Sequence, residues 1–268
     1  MTTTAPRWQT IRFERSGAIA RITLDSPAQL NGLSPQMHAE LRQALDEIEG
    51  AADLRAVLLT GAGRGFCSGA DLQAAPELDA QGRRDLGTML RRDFNPLIER
   101  LRALPQPVVV AVNGVAAGAG VSLALAGDIV LAARSASFVL AFARIGLMPD
   151  AGGTWLLPRL AGPARAMALS LLGEALDGEA AERAGLVWRC VPDERLLPEA
   201  EAVLQRLAAG PALALRHIKT AIHAAADHTL AEQLALETRL QHALGQSEDC
   251  QEGVAAFLQK RPARFRGC

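Results

Sequence analysis

The 268-residue sequence contains no tyrosine, and aromatic residues make up only 4% of it. That argues against stacking platforms for nucleobases and against Tyr-based acid–base chemistry. Neither sign of charge is in excess, with 28 Lys+Arg against 29 Asp+Glu and a formal net charge of −1. A dedicated nucleic-acid binder needs a basic surplus to neutralise phosphates, so that class is excluded. Cysteine is scarce: Cys67, Cys190, Cys250 and Cys268 lie far apart, without CxxC or Cys/His ligand spacing. Reduced thiols, a cytoplasmic location and no bound metal are expected. The longest apolar stretch, 108–126, is broken by Asn113 and by glycines, so no membrane span is expected. Residues 1–8 lack the apolar stretch of a secretory signal. If the protein is an enzyme, its proton carrier comes from 29 carboxylates, 5 histidines or 4 thiols.

What is present alternates between two periodicities. Thr10–Glu14 and Ala18–Leu24 read as strands joined at Ser16-Gly17, and Ser34-Pro35 opens a helix that runs to Gly50. Ala56–Thr60, Val108–Val112 and Ile129–Ala132 read as short buried strands, with helices over about 82–104 and 118–126. Strand–helix alternation of this kind predicts an α/β core with buried parallel strands. From about Pro192 helical periodicity takes over up to Gln259.

Two tempting motifs fail on detail. Gly61-Ala-Gly-Arg-Gly65 follows a strand but has neither the GK[ST] ending of a P-loop nor GxGxxG spacing. Gly120-Val-Ser122-Leu-Ala124 is one residue short of a nucleophile elbow. His38, His217, His223, His228 and His242 all fall in helical patterns and read as surface or packing residues.

Three other stretches hold more. Phe66–Leu72 (FCSGADL) leaves a strand through a Gly-rich turn and enters a helix-like segment at Asp71. Asn113–Gly120 leaves a buried strand and leads directly into a helix. Both pack small residues where backbone must approach something closely, and both expose free N–H groups suited to an anion or oxyanion. Tight turns that need glycine for steric reasons account for them equally well. In the third stretch Asp150 stands among apolar and small residues, just before Ala-Gly-Gly-Thr154. It is either the N-cap of the following helix or a desolvated carboxylate with a raised pKa, suited to work as a base.

Together FCSGADL at 66–72, NGVAAGAGVSLALAGD at 113–128, GLMPDAGGTWLLPRLAG at 146–162 and EGVAAFLQKRPARF at 252–265 resemble the enoyl-CoA hydratase/isomerase family, the crotonase superfamily. AAGAG at 116–120, ARSASF at 133–138 and FNPL at 94–97 are similar to its branch of ring-epoxide isomerases from phenylacetate breakdown. The resemblance implies an α/β, crotonase-like (ClpP/crotonase) spiral of ββα repeats with a helical C-terminal portion. It implies a core domain over 1–195 that binds acyl-CoA and a helical oligomerisation region over 196–268. It further implies an acyl-CoA thioester substrate, no cofactor beyond the coenzyme A of that substrate, and a homotrimer or a hexamer built as a dimer of trimers.

By motif position the resemblance places the enolate oxygen between the backbone N–H groups of Ala70 and Ala119, with Asp150 as the acid–base group. Gly69, Asp71, Leu72, Gly118, Ser122 and Phe142 fall at substrate-contacting positions, and Phe257 and Lys260 where the C-terminal helix reaches CoA on a neighbour. The family's hydratases activate water with two glutamates, whose positions here hold Ser122 and Phe142. The resemblance therefore implies that standard hydration is disabled and that Asp150 carries out a proton shift instead. The alternatives are a hydratase with other catalytic residues and a non-catalytic acyl-CoA binder. Asp71 reads as a helix cap and Asp128 as a structural acid. Arg83, Arg84, Arg91 and Arg92, interleaved with Asp85, Asp93 and Glu99, read as a solvated helical face. The distal pocket wall is expected from within 73–95.

Overall fold

A computed structural model describes residues 8–71, 74 and 77–267. Strands β1 (Ile11–Ser16) and β2 (Ile19–Leu24) form an antiparallel hairpin, followed by helix α1 (Pro35–Glu49). The Ser34 hydroxyl caps α1 by accepting the Met37 N–H at 3.2 Å, and Pro35 sits where a missing N–H costs nothing. The pattern of two strands and a helical segment then recurs. β3 (Ala56–Gly61) and β4 (Gly65–Cys67) lead to α2 (Leu86–Met89) and α3 (Asn95–Ala103). β5 (Val108–Val112) and β6 (Val115–Ala117) lead to α4 (Ala119–Leu125). β7 (Ile129–Ala133) and β8 (Ser137–Val139) lead to α5 (Gly153–Ala161) and α6 (Pro163–Leu172). The series ends with β9 (Ala175–Asp177), α7 (Gly178–Arg183) and β10 (Arg189–Val191).

The first strand of each repeat enters one sheet, ordered β1-β2-β3-β5-β7-β10, and the second enters another, ordered β4-β6-β8-β9. All pairings are parallel except β1 with β2 and β8 with β9. β5 is buried along its whole length, as its unbroken VVVAV run requires of a strand covered on both faces. This is the ββα spiral of the crotonase fold.

Four helices complete the chain: α8 (Leu196–Ala208), α9 (Ala212–Ala224), α10 (Leu230–Gly245) and α11 (Glu248–Leu258). α8 buries Leu196, Ala200 and Leu204 against β3, β5 and β7. α9–α11 leave Ile218, Ile222, Leu230, Leu234 and Phe257 exposed. No helix among the described residues is long and apolar enough to cross a membrane.

Two local expectations need correction. The helix expected from 82 begins at Leu86, because Asp79 Oδ1 accepts the N–H groups of Gln81 and Arg83, both at 2.9 Å, and holds a turn. Asp85 then caps α2 by accepting the Thr88 N–H at 2.9 Å. Between α2 and α3 the backbone widens into a π-helical turn over Leu90–Phe94, where the Asn95 N–H reaches back to the Leu90 carbonyl. Pro96, which has no N–H to donate to the preceding turn, follows at once. This turn buries Asp93 and Phe94, so Asp93 does not belong to the solvated face.

Candidate active site

The loops after β4 and β6 meet backbone to backbone. Gly69 has φ +88°, and a Cβ there would lie 2.7 Å from the Ala117 carbonyl oxygen and 3.1 Å from the Ala119 nitrogen. A Cβ on Gly120 would strike the carbonyl of Cys67. Steric need for glycine and convergence of the two loops are thus one fact: only at bare backbone can these turns touch. Gly118, at φ +52°, turns the chain into α4 and is fixed by its N–H to Val139 O (2.9 Å). Leu33 N–H donates to Gly69 O at 2.7 Å and pins the first loop to the start of α1.

Ala70 and Ala119 follow these glycines and line one cavity of about 470 Å³. Ala119 is the first residue of α4, where an N–H has no intrahelical acceptor. Among the described residues the Ala70 N–H has no acceptor either. Two free donors therefore border the same space, as an oxyanion site requires.

Asp150 lines that cavity as well. Its side chain caps no helix: α5 begins at Gly153 with Gly152 at the cap, and the Gly153 N–H bonds to the carbonyl of Asp150 at 2.8 Å instead. Ser122 Oγ donates to the same carbonyl at 2.8 Å. Ala151, next in the chain, is held at φ +49°, a strained conformation for a residue with a Cβ. The carboxylate's Oδ1 is buried without a hydrogen-bond partner, and desolvation pushes the Asp150 pKa up to about 6.

Other cavity acids are engaged. Asp93 is ion-paired with Arg42 at 3.1 Å and Arg92 at 2.6 Å, Glu77 is paired with Arg92, and Asp85 caps α2. Glu77, Asp85, Arg92 and Asp93, with Ala74, Leu86 and Met89, border the cavity from within 73–95. Cys67 is fully buried and its thiol is pushed up to about 12, which removes it as a nucleophile.

Gly118, Asp71 and Phe142 border the cavity, and Phe142 Cζ lies 3.7 Å from where a Gly118 Cβ would be. Ser122 does not border it: the side chain is fully buried behind Asp150 and acts on that residue's backbone. Gly69 contributes contact with the neighbouring loop rather than a cavity wall. The helix expected from Asp71 is not seen at Asp71 itself, where the Ala74 N–H closes a turn onto its carbonyl at 3.3 Å. Leu72 lies outside the described residues, as does Cys268. Phe257 and Lys260 stand on α11 and just beyond it, exposed and away from the cavity of their own chain.

Sequence reasoning missed His38, Asp93 and Phe94. His38 sits on the buried stripe of α1 with Met37, Leu41, Leu45 and Ile48, so a titratable group on an apolar helix face was the available signal. The π turn that brings Phe94 inward has no comparable sequence mark. Among the described residues, no cluster of His, Cys, Asp and Glu is arranged to hold a metal ion.

Known proteins resemble this chain over most of its length. The family model described as enoyl-CoA hydratase/isomerase matches residues 14–267. The chain belongs to that family. Two relatives, each 51% identical, carry different names within the enoyl-CoA hydratase/isomerase family. One is the 1,2-epoxyphenylacetyl-CoA isomerase of Escherichia coli K12, matched over 93% of this chain and 95% of its own. The other is a probable enoyl-CoA hydratase of Rhodobacter capsulatus, matched over 97% and 99%. The solved enoyl-CoA hydratase of Bacillus anthracis has a TM-score of 0.91 at 33% identity, covering 97% of this chain and 100% of that one. The protein is thus a family enzyme with hydratase/isomerase-type acyl-CoA chemistry, and the E. coli relative supports the likeness to the epoxide branch.

Proposed function

We propose that the protein is an acyl-CoA isomerase in which Asp150 moves a proton on a thioester held by the N–H groups of Ala70 and Ala119. The observation that carries this reading is the Asp150 carboxylate: unpaired at Oδ1, raised to about 6, and in one cavity with the two free donors. The thioester oxygen accepts both N–H groups, which stabilises negative charge as the enolate forms. One such donor is typically worth about 3 kcal/mol of barrier. Asp150 takes a proton from one acyl carbon, and the C–H electron pair delocalises to the thioester oxygen. It then returns the proton two carbons away, so the double bond shifts and nothing is consumed. One carboxylate suffices, being base and then acid. Ser122 and Phe142, at the hydratase positions, offer no second carboxylate for water.

A ring epoxide on the acyl group is the preferred substrate class, supported by the name of the E. coli relative and the branch motifs. Assembly as a trimer or hexamer through α9–α11 is supported by Ile218, Ile222, Leu230, Leu234 and Phe257, whose exposed apolar side chains invite a neighbour. A cytoplasmic location is supported by the free thiols of Cys67, Cys190 and Cys250.

The test is conversion of 3-enoyl-CoA to 2-enoyl-CoA by the wild type and Asp150→Asn, followed by mass spectrometry with epoxyphenylacetyl-CoA offered alongside. Wild-type turnover and a loss of about a thousandfold or more in the variant are expected. Unchanged turnover in Asp150→Asn overturns the assignment. Hydration of crotonyl-CoA at a comparable rate favours a hydratase, and ester binding without turnover favours a binder.

A further inference from the structure

His38 is 2% exposed, yet it lines the same cavity, as do Leu33 and Phe94. Its ring meets Phe94 edge-on, with centroids 4.4 Å apart. Neither ring nitrogen has a hydrogen-bond partner among the described residues. Asp93, the acid beside it, is occupied by Arg42 and Arg92. Burial pushes the His38 pKa down to about 4, which keeps the ring neutral near pH 7. A neutral imidazole carries one N–H donor and one acceptor, and native proteins rarely bury both unmatched. A leucine or phenylalanine would fill the position without that cost. The polar ring is explained if its partner arrives with the ligand.

We infer that His38 donates a hydrogen bond to an oxygen atom carried on the acyl group, remote from the thioester, so that the cavity selects oxygen-bearing acyl groups over hydrocarbon ones of similar shape. The inference rests on the acyl-CoA reading above. Other polar groups at this wall do not compete for the role. Arg92 is tied to Asp93 and Glu77, Asp85 is tied to Thr88, and Arg84 is exposed to solvent. Among these groups only His38 is buried and unmatched.

Calorimetric titration of the full-length protein with phenylacetyl-CoA and 2-hydroxyphenylacetyl-CoA tests this, using wild type, His38→Phe, His38→Leu and His38→Gln. The wild type is expected to bind the hydroxylated ester about tenfold more tightly, the scale of one well-made hydrogen bond. His38→Phe keeps an aromatic edge on Phe94 and is expected to bind the two esters equally. His38→Leu gives the same comparison with a smaller apolar side chain should the Phe variant not fold. His38→Gln, which restores an N–H donor, is expected to regain part of the preference. A wild type without preference, or an apolar variant that keeps it, overturns the assignment of His38 and leaves the acyl-CoA reading standing. Failure of both esters to bind the wild type overturns both readings.

Discussion

The hydroxyl of Ser122 donates a 2.8 Å hydrogen bond to the main-chain carbonyl of Asp150. The Gly153 N–H reaches the same oxygen at 2.8 Å, so the backbone of Asp150 is gripped from α4 and from the start of α5 while the carboxylate's Oδ1 keeps no partner. That grip holds Ala151 in its left-handed conformation. Ser122→Ala removes one tether without altering charge in the cavity. Stability is expected to fall by about 1 kcal/mol. Isomerase kcat is expected to fall about tenfold with KM nearly constant, because carboxylate position suffers and binding does not. Urea denaturation and steady-state kinetics check both, and an unchanged kcat would mean that Gly153 holds the site alone.

The raised Asp150 pKa makes two predictions of definite sign. As a base the group works deprotonated, so kcat/KM should rise with pH through about 6 and then level off. For stability, the folded state holds this proton more tightly than the unfolded chain does. The resulting stabilisation is complete below about pH 4 and is lost as pH rises through about 6. At pH 7 the desolvated charge then costs on the order of 2 kcal/mol. Asp150→Asn should therefore be inactive but more stable than wild type at pH 7, with the gap closing near pH 4. Thermal melts at the two pH values decide it, and a variant less stable at pH 7 contradicts the desolvation account.

How far the site was legible depends on where its information lies. Gly69, Gly118 and Gly120 could be read because close backbone approach and positive φ leave a residue-type signature. Asp150 stood out as an acid in an apolar stretch, but its choice between cap and base needed the position of α5. Strands such as Val108–Val112 declare themselves by unbroken apolar runs. Asp93 did not, since its burial follows from a π turn whose register periodicity cannot resolve. Ser122 was misplaced for a related reason. A position on a small-residue helix tells which turn a side chain occupies, not whether it faces the cavity or the backbone behind it.

Contact between the two donor loops gives a sharper test of the oxyanion site. Gly69→Ala would bring a methyl to 2.7 Å from Ala117 O and also require φ +88° of a residue with a Cβ. Either the Phe66–Asp71 loop retreats or the start of α4 does, and the N–H groups of Ala70 and Ala119 no longer converge. Loss of about a hundredfold or more in kcat is expected, with a stability cost of about 1–3 kcal/mol. Burst-free steady-state kinetics beside a melting curve separate the two effects. A variant with full kcat would show that the loops need not touch for catalysis.

The last prediction concerns the fastening of α9 to the sheet. Asp128 Oδ2 accepts the Val108 N–H and the Lys219 ammonium, both at 2.7 Å, and His223 Nε2 lies 3.4 Å from its other oxygen. Lys219 also donates to Gln106 O at 3.3 Å, and burial lowers its pKa. Removing one member of a buried pair leaves the other charge without compensation, whereas replacing both is far milder. Lys219→Ala should cost about 3 kcal/mol, while Lys219→Met combined with Asp128→Asn should recover much of it. Neither residue lines the cavity, so isomerase kcat at temperatures below the melt should be retained in both variants. If Lys219→Ala melts like wild type, the ion pair contributes no net stability and α9 is held by its apolar contacts alone.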